Sequence, residues 1–161
     1  MTEQSYAVDI GHPPSALLRL INPGLVLLLG TPLAGPLRKQ LMVLKFTGRK
    51  SGRQFSIPLS AHVIDGNLYT LTGAAWKANF RDGGDAQVNY DGKTTAMRGE
   101  LVRDSAIVPD LYQRCAQSYG VKRAQRMMGL KFRDDRIPTR EEFAEAIDRL
   151  KLVAIRLTAA T

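Results

Sequence analysis

One cysteine, Cys115, and two histidines, His12 and His62, are all that 161 residues offer toward thiolate or imidazole chemistry. A lone cysteine excludes an internal disulfide and a thiolate metal cluster. The two histidines show no H-E-x-x-H or similar spacing, so a zinc site would need carboxylates to complete it. Long apolar runs are missing too. Leu25–Gly30 is strongly apolar, but Pro23 and Pro32 bracket it, and it falls well short of the about 20 residues that span a bilayer. The opening MTEQSYAVDI has no cationic region followed by an apolar one, so no secretory signal is read and a cytoplasmic location is expected. Acidic residues are outnumbered, 15 against 23 Lys and Arg, for a formal charge of +8. Such a surplus favours nucleic acid, anionic lipid, or a phosphorylated or carboxylated small molecule. Nucleic acid is disfavoured, because no strand face interleaves cations with aromatics and no recognition helix is visible.

The length suits one domain with a real core. Residues 1–40 form an N-terminal segment. Within it, residues 1–12 read as a loose polar lead, and Pro13–Leu37 reads as broken helix, stopped at Asn22-Pro23-Gly24. Its apolar face could dock on its own barrel, on a second subunit or on a membrane surface. Residues 41–104 turn to β. Strands are expected at Leu41–Phe46, Phe55–Ile64, Asn67–Thr72, Ala86–Tyr90 and Thr94–Val102. Asp65-Gly66 and Asp91-Gly92 are hairpin turns, and Pro58 marks an edge or a bulge. A short helix is expected at Ala75–Arg81. Residues 105–151 read as helices: Ser105–Tyr119, with Ile107, Leu111, Cys115 and Tyr119 on one face; Ala124–Leu130; and a helix opened by the capping box Thr139–Glu142. A closing strand follows at 152–158. Short strands with tight turns argue for a closed or nearly closed barrel.

Two stretches could carry chemistry. FTGRKSGRQFSIPL packs Arg49, Lys50 and Arg53 into one turn with Gly48 and Gly52. Glycines at positive φ let backbone N–H groups point inward, and such a nest with three cations would hold phosphate or carboxylate. A solvated hairpin tip reads equally well from local composition. In AWKANFR, Trp76 could wall a flat ring with Asn79 orienting its polar edge; a core tryptophan is the plainer reading.

T-G-R-K-S-G-R followed by P-L, then D-G-N-L-Y-T-L-T-G, W-x-x-N-F and V-N-Y-D-G-K, resembles the deazaflavin-dependent nitroreductase family of actinobacteria. The likeness runs from Leu41 to Val102, with VAIRL resembling the closing strand. It implies an α+β, mainly β fold: a six-stranded split β-barrel, flavin-reductase-like, with an N-terminal helical segment and C-terminal helices. It implies the 8-hydroxy-5-deazaflavin coenzyme F-420, with FMN the less favoured alternative because a three-cation turn suits the longer anionic tail. By this resemblance the tail runs over Arg49, Lys50, Ser51, Gly52 and Arg53, and Pro58 is also counted among the cofactor-binding residues. The ring lies near Thr72, Gly73, Trp76 and Asn79, and Tyr112 or Tyr119 lines a substrate pocket. The implied activity is hydride transfer to a quinone, enone or nitroaromatic acceptor. Its alternative is a non-catalytic barrel binding a lipid, haem-like or other apolar ligand. Dimers are common in split barrels, so a homodimer is among the expected assemblies. The chain departs from the family at Phe55, where an arginine is usual, at the shortened TGAAW loop, at Asp82-Gly83-Gly84-Asp85 in place of Asn-Pro, and in the added helix at 140–150.

Overall fold

The computed structural model describes residues 5–11 and 40–160. The helical turns expected between Pro13 and Leu37 lie outside the described residues. In chain order the strands are β1 (Val8–Ile10), β2 (Leu41–Thr47), β3 (Gln54–Ser60), β4 (His62–Ile64), β5 (Asn67–Thr72), β6 (Gly84–Tyr90), β7 (Lys93–Val102), β8 (Leu130–Phe132) and β9 (Val153–Ala159). The helices are α1 (Val108–Tyr119), α2 (Val121–Met128) and α3 (Arg140–Leu150), with a 3-10 turn at Ala75–Phe80.

The Asp-Gly dipeptides do what their chemistry predicts. Asp65 and Gly66 sit at φ 52° and 79°, and Asp91 and Gly92 at 50° and 76°. Two successive left-handed residues make the turn whose twist matches flanking antiparallel strands. The hairpins β4–β5 and β6–β7 follow. The sheet is antiparallel throughout, in the order β3-β2-β6-β7-β9-β5-β4.

Its two end strands, β3 and β4, are one run of chain parted only at Ala61, whose N–H donates to the Gln40 carbonyl at 2.9 Å. The sheet therefore curls until its ends meet in a single segment, as in a split barrel. Six strands were expected and seven are found, because the run Phe55–Ile64 changes partner. Its first half pairs with β2 and its second with β5, and the ladder breaks where it changes.

Period-two alternation divides two cores. Met42, Leu44 and Phe46 of β2 face the barrel interior with Val88, Ile155 and Leu157. On the other face of β5 and β9, Tyr69 and Ala154 pack against Leu111, Tyr112, Cys115, Phe143 and Ala146 of the helices. The capping box is present: Thr139 accepts from the Glu142 amide, and the Glu142 carboxylate accepts from the Thr139 amide. Arg136 adds a bidentate pair that holds the Glu142 carboxyl down at about 2.

Three expectations are corrected. Helix α1 begins at Val108 with Pro109 in its first turn, which suits a proline lacking an N–H and leaves Ile107 outside, 47% exposed. Helix α2 ends at Met128, with Gly129 in the left-handed region as its cap. Leu130–Phe132 then pairs with β1, which lies in the lead expected to be loose. Arg149 fastens that lead by donating to the Val8 carbonyl, with its guanidinium 3.7 Å from the Tyr6 ring. Strands of three residues are too short to print a period in sequence. No helix among the described residues is long and apolar enough to cross a membrane.

Candidate functional site

The basic turn and the Trp76 segment, 30 residues apart, meet. The Asn79 carboxamide oxygen accepts from the Arg49 backbone N–H at 2.9 Å, and its Nδ2 donates to the Trp76 carbonyl at 2.8 Å. Asn79 thus ties the cationic turn to the 3-10 turn. What holds Asn79 there is its neighbour. Phe80 is buried, edge-on to Phe46 at 5.0 Å. Its ring lies where Gly99 and Gly84, cross-strand partners in β7 and β6, leave no side chain. A Cβ on Gly99 would meet the Phe80 ring at 2.6 Å, and one on Gly84 at 3.4 Å. Sequence reading missed this slot: the only trace of it was two glycines 15 positions apart with no local pattern linking them.

Four of the six amides in the nest expected at Gly48–Arg53 have partners within the protein. The Gly48 and Gly52 amides donate to the Arg53 and Gly48 carbonyls, the Arg49 amide to Asn79, and the Arg53 amide to the Ser51 hydroxyl. Anion binding at this turn rests on its side chains and on the amides of Lys50 and Ser51. Gly52 has φ 68° and open space where a Cβ would stand, so the turn is approachable. Arg49 lies 3.7 Å from Asp82, with the side chains 48% and 77% exposed, a contact worth little in water. Lys50 and Arg53 form no ion pair among the described residues, and the Arg53 guanidinium rests 5.8 Å from the Phe55 ring.

Phe55 stacks on Phe46 at 5.0 Å and 14°, and Trp76 closes on Phe46 at 5.7 Å. These three aromatics and Phe80 form one cluster at this end of the barrel. Beside it runs an open groove of about 970 Å³ over β3, β2, β6 and β7. It is bounded next to the basic turn by Thr47 and Gln54, with Phe46, Phe55 and Met97 as apolar surface and Lys45 and Gln87 as polar lining. This is the upper part of the range for small-molecule and cofactor sites.

The other residues expected at the site have these surroundings. The Thr72 hydroxyl accepts from the Ala74 amide at 3.0 Å. A Cβ on Gly73 would meet the Leu150 carbonyl and the Leu152 side chain at 3.1 Å. Pro58 sits opposite Val43 in the β2–β3 ladder, five residues beyond Arg53. Tyr112 is a core residue, 2% exposed; its hydroxyl donates to the Val153 carbonyl at 2.9 Å, and burial raises its pKa. Tyr112→Phe is expected to cost about 1–2 kcal/mol in chemical denaturation, by leaving that carbonyl short of a donor, and to leave ligand binding unchanged. Tyr119 is half-buried, its hydroxyl 2.8 Å from His62 Nδ1 and the Arg123 guanidinium 5.3 Å from its ring. Burial pushes the phenol up to about 12 and holds His62, 2% exposed, down at about 4. This pair was not foreseen, since His62 reads as an ordinary strand residue.

No family model matches the chain, and no curated protein does. Among solved structures, a chain solved as a domain-swapped dimer aligns with TM-score 0.50 and 15% identity, over 91% of this chain and all of that one. Conserved hypothetical protein Rv2991 of Mycobacterium tuberculosis aligns with TM-score 0.45 and 17% identity, over 100% of this chain and 87% of that one. An FMN-binding protein of Nostoc punctiforme, described as related to pyridoxamine 5'-phosphate oxidase, aligns with TM-score 0.43 and 10% identity, over 93% and 83%. The likeness to these chains is one of fold.

Proposed function

We propose that the chain is a split-barrel oxidoreductase that holds a flavin-type coenzyme, F-420 or FMN, and passes a hydride to a quinone, enone or nitroaromatic acceptor. The observation that carries this reading is the juxtaposition of Arg49, Lys50 and Arg53, weakly paired or unpaired, with an open groove along β3, β2, β6 and β7 that begins beside their turn at Thr47 and Gln54. That arrangement suits a ligand with an anionic tail and a flat, polar-edged ring. The resemblance around GRKSGR points to F-420, while the Nostoc punctiforme neighbour is named for FMN. Both have the required shape, and only titration separates them.

When bound, the reduced deazaflavin supplies the hydride. The chain's own work is to bind, orient and exclude water. Arg49, Lys50 and Arg53 hold the tail by charge. Asn79 fixes the turn that presents them. Lys45, Gln54 and Gln87 supply polar contacts along the groove, and the Phe46–Phe55 stack holds the two strands beneath it in place. With the Thr72 hydroxyl bonded to the Ala74 amide and the Gly73 carbonyl facing the Lys77 ammonium, the groove is the better seat for the ring. The same engagement favours the second reading, a non-catalytic barrel that carries a lipid or haem-like ligand. A chain of the same fold was solved as a domain-swapped dimer, and a homodimer belongs to this proposal.

Titration with oxidised F-420 and, separately, FMN tests the reading, followed by cofactor emission and by the emission of Trp76, the only tryptophan. Saturable binding is expected, weakened at least about tenfold in an Arg49→Ala/Lys50→Ala variant, with a shallower dependence on salt. Both side chains are exposed, and the Arg49 amide bond to Asn79 survives in alanine, so the variant keeps its fold. Absence of binding for both coenzymes at tens of micromolar sinks the enzyme reading. A lipid or haem found by mass spectrometry would then establish the second.

A further inference from the structure

We propose that a second, smaller cleft, between the 3-10 turn and α3, binds a small organic carboxylate with a compact apolar body. The cleft holds about 270 Å³, below the usual lower bound of drug-sized sites, and so admits a single ring or a short chain. Its floor is apolar, with Pro109, Ile147 and Leu152. Its rim is cationic: Lys77, Arg103 and Lys151 stand against one carboxylate, Asp148. The floor would take the body of such a ligand and the rim its head.

The charge at the rim is not cancelled inside the protein. Arg103, Lys151 and Asp148 enter no ion pair among the described residues. The Lys77 ammonium donates to the Lys151 carbonyl at 2.7 Å and lies 3.5 Å from the Gly73 carbonyl. Both acceptors are neutral, so they hold the ammonium in place without discharging it. That bond also covers a carbonyl at the C-terminal end of α3, where the helix dipole would otherwise repel an anion. Asp148 offsets one of the three cations, Lys77 is fixed by its two carbonyls, and Arg103 and Lys151 are left to meet an anionic head. Arg103 brings the planar fork that matches a carboxylate. The cleft takes one wall from α3, which lies outside the stretch that resembles a known family, and it shares no lining residue with the groove of about 970 Å³.

The test is a titration of the ¹⁵N-labelled full chain, read as amide shifts, with three probes: benzoate, benzyl alcohol and acetate. Benzoate is expected to saturate with a Kd on the order of 1 mM, shifting Lys77, Ala144, Asp148 and Lys151. Benzyl alcohol has the body without the charge, and acetate the charge without the body; each is expected to bind at least about tenfold more weakly. An Arg103→Gln/Lys151→Gln variant, altered only at exposed positions, is expected to lose benzoate about tenfold. Ala144→Leu, which fills the cleft from α3, is expected to lose it as well. Equal binding of benzyl alcohol overturns the proposal, since the cations would then recognise nothing. Equal binding of acetate overturns it as surface pairing. Undiminished binding in either variant, or no saturable shift with benzoate, does so too. Because no arm uses a coenzyme, the result is independent of the oxidoreductase reading.

Discussion

Acidification from pH 7 to pH 4 is expected to remove roughly 3 kcal/mol of folding stability through His62 alone. The ring is 2% exposed, and burial lowers its pKa from 6.5 to about 4. In the unfolded chain it takes up a proton below 6.5; in the folded chain it takes none until about 4. Between those values the unfolded state binds more protons, so stability rises with pH across that window and levels off above it. The amount is a large share of the about 5–15 kcal/mol of an ordinary domain. The carboxylate held down by Arg136 acts lower. Glu142 is depressed to about 2, so its contribution is present above the unfolded carboxylate range and is lost as pH falls toward 2. Urea unfolding at pH 7, 5.5 and 4 separates the two. His62→Gln keeps an acceptor for the Tyr119 hydroxyl and has no proton to gain, so its stability is expected to fall much less over this range. An equal fall in wild type and variant would assign the acid sensitivity to other groups.

Gly99→Val is expected to cost about 3 kcal/mol or more, because its Cβ would overlap the Phe80 ring at 2.6 and 2.8 Å in a strand that cannot retreat from both neighbours. Phe80→Ala is expected to cost about 4 kcal/mol, since the ring is 1% exposed and closes the barrel end against Phe46 and Trp76. The double variant is the sharper experiment. Valine at 99 would occupy part of the space the ring vacates, so the combined loss is expected to fall short of the sum by about 2 kcal/mol. Simple additivity in urea midpoints would mean that Phe80 and Gly99 do not form a slot. Both single variants are also expected to weaken coenzyme binding, although neither residue lines the groove. Phe80 fixes the position of Asn79, and Asn79 holds the Arg49 backbone.

The barrel was largely legible in the sequence. Two Asp-Gly turns at positive φ, alternation along Leu41–Phe46 and the capping box at Thr139 are local devices: their physics acts within a few residues, and they appear where read. The β1–β8 pair was not legible, because three-residue strands have no period and their pairing joins residues more than a hundred positions apart. Neither was the division of Phe55–Ile64 into β3 and β4, which exists only because the curling sheet brings β5 to the far side of Ala61.

The candidate site divides the same way. Sequence alone determined that Arg49, Lys50 and Arg53 would crowd one turn, since composition and chain connectivity suffice for that. Only the tertiary structure decided what the turn can do. It gave four of the turn's six amides partners within the protein. It sent Tyr112 to the core and Thr72 to its own loop, and it brought Asn79 to Arg49 through a ring seated in a gap left by two glycines. A hydrogen bond or a ring contact depends on where both partners lie in space, and for partners distant in sequence the intervening fold sets those positions.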